Sequence, residues 1–195
     1  MIMTMTTKHL DIGCGSTARN PFNHAQLFGV DIIDQVVDFN YRQCNVTLES
    51  LPFADNFFDS VSAFDFLEHV PRLIVKDNKT VFPFIELMNE IHRVLKPGGQ
   101  LYAITPCYPR AETFVDPTHV NFIAAKTHRY FCGSNPGAKV YGFNGVFEEL
   151  QVKRIRFSQG IDKGYSKLRQ KIDDMYYSIY FTKKGHVLWH FAAVK

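Results

Sequence analysis

The stretch HLDIGCGSTARNPFNHAQLFGVDI, His9 to Ile32, constrains the fold more than any other part of this chain. One short apolar segment runs directly into Gly13-Cys14-Gly15, and a second ends on an acid, Asp31. Glycine has no Cβ and tolerates positive φ, so a glycine pair straight after a strand lets the backbone pass close to a ligand. A carboxylate closing the next strand stands beside that loop only if the two strands are parallel neighbours. Open, mostly parallel sheets have this property, and they bind ligands beyond the carboxyl ends of their strands, where the strand order reverses.

The rest of the chain extends that pattern. Apolar segments at His9–Ile12, Leu27–Val30, Ser60–Phe64, Gln100–Thr105, Phe147–Phe157 and Val187–Val194 read as strands. Before LKPGG, Phe84, Met88, Ile91 and Leu95 recur at helical spacing, with Glu86, Asn89, Glu90 and Arg93 on the other side. Pro97 stops that helix and Gly98-Gly99 turns the chain into QLYAIT. Strand alternating with helix predicts an α/β fold: a mostly parallel sheet with helices on both faces. Gly13, Gly15, Asp31, Asp65 and Pro106 then share one rim.

Composition sets the limits. With 195 residues, 46% hydrophobic and 21% charged, the chain suits one globular domain over 1–195 with a full core. A net charge of +3 gives no ground for a nucleic-acid or membrane partner. Cys14, Cys44, Cys107 and Cys132 are too scattered for a zinc site or a disulfide frame, and read as reduced thiols of a cytoplasmic protein. MIMTMTTKHL lacks the features of a signal peptide, and no segment approaches the roughly 20 apolar residues of a membrane span.

The ligand class follows from the loop. Asp31, about twenty residues beyond Asp11, is placed to accept hydrogen bonds from a ribose diol, which fits an adenosine-type cofactor. GCGSTA satisfies the permissive G-x-G-x-x-A form of a dinucleotide site, but that site needs a helix starting at once to hold the pyrophosphate. Here Pro21, with its restriction on Asn20, interrupts any helix begun at Ser16, so 16–23 is expected to be irregular or a single turn. A cofactor without phosphate suits such a loop better.

LDIGCG, GVDI, LPFADNFFDSVSAFDFLEHV and RVLKPGGQLYAITP, in this order, resemble the class I S-adenosylmethionine-dependent methyltransferases of the small type 11 kind. The resemblance covers about 9–106, a cofactor-binding half; 107–195 would be the acceptor side. It implies a Rossmann-like, seven-stranded sheet whose last strand is antiparallel. It also implies that Asp11, Gly13, Cys14 and Gly15 line the methionine end of S-adenosylmethionine. Asp31 and Ile32 would hold the ribose, Asn45 or Val46 would lie near the adenine, and Phe64 and Asp65 would stand beside the sulfonium.

Catalysis centres on DFLEH and DPTHVNF. Asp65, Glu68 and His69 are expected in a short helix, with Asp65 and Glu68 one turn apart. This resembles the E-x-x-E-H element, with a later histidine, of ubiquinone-pathway O-methyltransferases and of enzymes that methylate small-RNA 2′-hydroxyls, where a divalent metal sits. The implied ligands are Asp65, Glu68, His69 and His119, with Asp in place of the first Glu. The alternative is that acid and histidine cap the helix, leaving His69 or His119 as base. Asp116 is expected to fix the turn before Pro117. Tyr108, Arg110, His119, Asn121 and His128 are polar candidates on the acceptor side, and a helical insertion about 160–185 carries Tyr176, Tyr177 and Tyr180. The function expected is O-methylation of a small molecule, a sugar or glycan precursor by resemblance. An RNA 2′-hydroxyl acceptor and a non-catalytic cofactor-binding subunit are the alternatives.

Overall fold

The computed structural model of the chain describes residues 6–157, Met175 and 184–195. Apart from Met175 and 184–185, the helical insertion expected about 160–185, with Tyr176, Tyr177 and Tyr180, lies outside them. The described elements are β1 (Lys8–Ile12), β2 (Gln26–Asp31), β3 (Asn40–Gln43), β4 (Phe58–Phe64), the hairpin β5 (Ile74–Lys76) and β6 (Lys79–Val81), α1 (Pro83–Val94), β7 (Leu95–Tyr108), the single turn α2 (Glu112–Val115), β8 (Ile123–Ala124), β9 (Phe147–Ile155) and β10 (His186–Ala193).

The main sheet runs β3-β2-β1-β4-β7-β10-β9, with the short β8 added to β7. β1, β2, β3, β4 and β7 are mutually parallel, and β10 is antiparallel to both β7 and β9. This is the seven-stranded, mostly parallel sheet with an antiparallel last strand that the family resemblance implies. The order reverses between β1 and β4, which puts the loops after those two strands side by side.

Side-chain alternation divides the core. Leu10, Ile12, Val61, Ala63, Leu101 and Ala103 share one face, against which α1 buries Phe84, Leu87, Met88, Ile91 and Val94. Pro83 takes the first helical position, where a missing N–H costs nothing. The helix stops at Val94, one residue before the expected Leu95, which is already extended and opens β7. The opposite face carries Phe64, Tyr102, Ile104 and Leu188, against which Phe22 and Phe157 pack. Phe22 comes from the loop after β1, so the cover described here is loop rather than the helix expected on this face. Indeed 13–25, 32–39 and 44–57 contain no α-helix. The irregular course of 16–23 was expected from Pro21, whereas 32–39 and 44–57 depart from the expected alternation of strand and helix; Pro52 and the shortness of these connections account for the difference.

The packing makes α1 a test of the core. Met88 is fully buried and Glu86 on the same helix is exposed. Met88→Ala should lower unfolding free energy by about 2–5 kcal/mol. Glu86→Ala should change it by no more than about 0.5 kcal/mol, both read from urea titrations.

Candidate active site

The loop after β1 is fixed by two acids. Asp31 Oδ2 accepts the Gly15 N–H at 2.9 Å, and Asp11 Oδ2 accepts the Arg19 N–H at 2.8 Å. Gly13 has φ +68° and a Cβ there would lie 2.2 Å from the Phe66 ring, so no other residue fits. A cavity of about 180 Å³ opens beside this loop, lined by Ile12, Gly13, Asp31, Ile32, Asn45 and Val46, with Thr47, Phe66, His69 and Val70 among the remaining walls. That is smaller than the roughly 300–1,000 Å³ of a complete ligand pocket and suits the nucleoside part of a ligand. Among the described residues, the second carboxylate oxygen of Asp31 accepts only the long 3.2 Å bond from the Ile33 N–H, which leaves lone pairs for a further donor.

Three residues expected to touch the cofactor turn their side chains elsewhere. Asp11 is buried below the loop and accepts from Ser62 Oγ at 2.6 Å as well as from Arg19, so it orients the loop. Ser62 spends its proton on Asp11 and accepts from His9 Nε2 at 2.8 Å, while His9 Nδ1 accepts from Ser60 at 2.6 Å. Burial pushes the Asp11 carboxyl up to about 6 against the pull of these donors. Cys14 packs its sulfur against Gly29, and burial raises its thiol to about 12, so only its backbone faces the loop's ligand side. Phe64 lies in the opposite-face core, with the Arg19 guanidinium 4.9 Å above its ring.

Beyond β4 the chain makes a 3-10 turn, Leu67–His69, in place of the expected short helix. The Glu68 backbone oxygen accepts the Val120 and Asn121 N–H groups, both at 2.9 Å, which draws the DPTHVNF segment onto this turn. Glu68, His69 and His119 thereby offer ligand atoms that all lie within 4.8 Å of one another. The bonding fixes their roles. Thr118 donates its hydroxyl proton to Asp116 at 2.6 Å, so His69 Nδ1 must donate to Thr118 at 2.9 Å. His119 Nδ1 donates to the Thr113 carbonyl at 3.1 Å. In the neutral ring of each, Nε2 then carries the lone pair. Glu68 Oε2 accepts from Thr105 at 2.8 Å, while buried Oε1 has no hydrogen-bond partner and stands 3.9 Å from His119 Nε2. Burial pushes the Glu68 carboxyl up to about 7, partly opposed by its own backbone N–H and by Thr105. Asp116 fixes the turn before Pro117 through the Thr118 N–H and hydroxyl, as expected.

Asp65 does not join that cluster. Its backbone is left-handed, φ +47°, and its side chain is one methylene short of Glu, so the carboxylate turns toward β10. There it faces His186 Nε2 at 3.3 Å. His186 is a site residue missed in the sequence; its signal was position, since an antiparallel strand begins at the rim where its parallel neighbours end. Thr47 and Val70 were likewise missed, and Phe66, read from the sequence as packing, lines the smaller cavity. Of the acceptor-side candidates, Asn121 is buried with its amide donating to the Leu67 carbonyl at 3.1 Å, and His128 pairs with Glu149 at 2.9 Å. Tyr108 is exposed, and buried Arg110 Nε has no hydrogen-bond partner.

With the glycine loop, Asp31 and the rim in place, comparison with known proteins becomes informative. Residues 10–103 match the family described as a methyltransferase domain. The matched segment, just under half of this chain, holds the glycine loop, Asp31 and the Glu68 turn. Over 123 residues it is 27% identical to a demethylmenaquinone methyltransferase of Staphylococcus saprophyticus, a match covering 55% of this chain and 48% of that protein. The chain thus spans about half the length of this relative. Its fold superposes with TM-score 0.59 and 14% identity on a chain from the Haloferax volcanii complex of the Trm112 methyltransferase activator with a methyltransferase, covering 97% of this chain and 84% of that one. It does so with TM-score 0.51 and 17% identity on a SAM-dependent methyltransferase from Archaeoglobus fulgidus, covering 96% and 86%. Among the described residues no helix is long and apolar enough to cross a membrane.

The buried carboxyl of Glu68 makes stability depend on pH in a definite direction. Raised to about 7 from an ordinary 4.5, it binds its proton more tightly in the folded chain than in the unfolded one. The stability it contributes is complete below pH 4.5 and is lost as pH rises through 7. In chelator-treated protein, Glu68→Gln should remove this loss, gaining up to about 3 kcal/mol on the parent between pH 4.5 and 8 in urea titrations. Parallel pH profiles would show that the Glu68 charge is not desolvated.

Proposed function

We propose that this methyltransferase moves the methyl group of S-adenosylmethionine to a hydroxyl oxygen of a small molecule. One observation carries the reading: a buried carboxylate oxygen with no hydrogen-bond partner and two bare imidazole nitrogens meet on the rim that bears the glycine loop. On the cofactor side, Asp31 would take the ribose diol, and Ile12, Val30, Ile32 and Val46 give an apolar slot for the adenine beside Asn45. The Gly13–Gly15 backbone and the Asp65 rim remain for the methionine end.

Methyl transfer to oxygen is an in-line displacement that gains most from holding the two partners in line. The hydroxyl must also lose a proton. The donor set Glu68, His69 and His119, one oxygen and two nitrogens, fits Mn²⁺, Fe²⁺, Co²⁺ or Zn²⁺. Bound there, an ion would lower the pKa of a coordinated hydroxyl. The chain's own part is to hold, through Thr113 and Thr118, the ring tautomers that turn Nε2 toward the cluster, and to keep the carboxylate short of other donors. If the cluster holds no ion, His119 or His69 takes the hydroxyl proton directly, as the same bare lone pairs permit.

Two experiments test this reading. Calorimetry should show S-adenosylmethionine or its homocysteine product binding, weakened by Asp31→Ala through loss of charge-assisted bonds worth about 1.5–3 kcal/mol each. Tighter binding of NAD would overturn the cofactor assignment. In a labelled-methyl screen over sugars, phenols and RNA, a chelator and Glu68→Gln should each abolish turnover while cofactor affinity stays within a few-fold. Full turnover by metal-stripped protein would leave the histidine base. Labelling of RNA alone would move the acceptor to a 2′-hydroxyl.

A further inference from the structure

A second and larger cavity, about 440 Å³, lies on the other side of the segment that follows the Glu68 turn. His69 and Val70 line the smaller cavity, Arg72 and Leu73 this one. Its walls are aromatic: Phe82 and Tyr141 meet at 5.5 Å between ring centres, Phe84 and Phe131 at 5.4 Å, and Tyr130 closes another side. At about 440 Å³ it falls within the range of small-molecule pockets.

Charge gives the ligand its second property. Arg72 lines this cavity although its residue is exposed, and it is held in place: Nε donates to the buried Asn121 Oδ1 at 2.8 Å and Nη2 to the Phe122 carbonyl. Asn121 is itself pinned through its amide to Leu67. Neither acceptor is a carboxylate, and Nη1 donates to nothing among the described residues. An exposed arginine ordinarily keeps its rotamer freedom or finds an acid. This one is oriented by a buried amide, and no acid pairs with it among the described residues. The segment that supplies Asn121, Thr127, Tyr130, Phe131 and Tyr141 to the lining has the same sign. From Pro117 to Phe147 there are three cations, Lys126, Arg129 and Lys139, and no acidic residue. The N-terminal turn of α1, which supplies Phe84 and Ile85, adds its partial positive charge, although Glu86 lies one residue further on.

We propose that this cavity binds a planar ring joined to an anionic group, the ring between the Phe82–Tyr141 and Phe84–Phe131 walls and the anion on Arg72. An aromatic carboxylate and a nucleoside monophosphate both present that chemistry. The assignment does not depend on the methyl-transfer reading.

Binding is measured directly, without turnover, using 2-naphthoate against its neutral amide and uridine monophosphate against uridine. In at least one pair the anion should bind at least about tenfold more tightly, the size of one charge-assisted hydrogen bond. The tighter pair names the ligand source. Arg72→Gln should erase the preference and leave the neutral partner's affinity unchanged, whereas Tyr141→Ala should weaken both members alike. The unaltered protein decides the question even if a variant misfolds: equal affinity within both pairs, or no saturable binding of any probe, overturns the proposal. A preference that persists in folded Arg72→Gln overturns the role of Arg72.

Discussion

Two backbone N–H groups on one carbonyl oxygen hold the segment after β7 to the turn after β4. The Glu68 oxygen accepts from Val120 and Asn121 together, and the Asn121 side chain repeats the attachment at Leu67. This joint brings His119 to Glu68 and His69, and through Asn121 it aims Arg72 into the aromatic cavity. Each bond of this kind is worth only about 1 kcal/mol net, but a buried backbone group left unsatisfied costs more than that. The loop after β7 therefore has one way to lie down.

The glycine loop rests on a comparable restraint with different chemistry. Two acids, Asp11 below and Asp31 beside it, each take one of its N–H groups. Asp11 is desolvated and leans on Ser62 and His9 for company; Asp31 is partly open and keeps capacity for a ligand. One acid orders the loop and the other remains available.

The central strands were legible because burial writes itself into sequence as alternation: Leu10, Ile12, Val61 and Ala63 point one way and His9, Asp11, Ser60 and Ser62 the other. β3 was not, since Asn40–Gln43 is an edge strand with no fully buried residue. The hairpin β5–β6, equally exposed, was missed for the same reason. At the site, spacing could suggest that Glu68, His69 and His119 meet, but not that Asp65 would leave them. That departure depends on a left-handed backbone that a four-letter spacing does not encode. His186 was hidden because a lone histidine ahead of an apolar run carries no pattern, and only the sheet order gives it a neighbour.

The sheet order also bears on how the chain is made. β10 lies between β7 and β9 and pairs with both, yet it is the last of the three to be synthesised. Until it emerges from the ribosome, β7 and β9 each present an unpaired edge, and β7 is largely apolar along Leu101–Cys107. Exposed edges of this kind are templates for intermolecular pairing. The nascent chain thus passes through a stage with an open seam in mid-sheet, and the strand that closes the seam also delivers His186 to the rim. Sealing of the sheet and completion of the site are one event in translation.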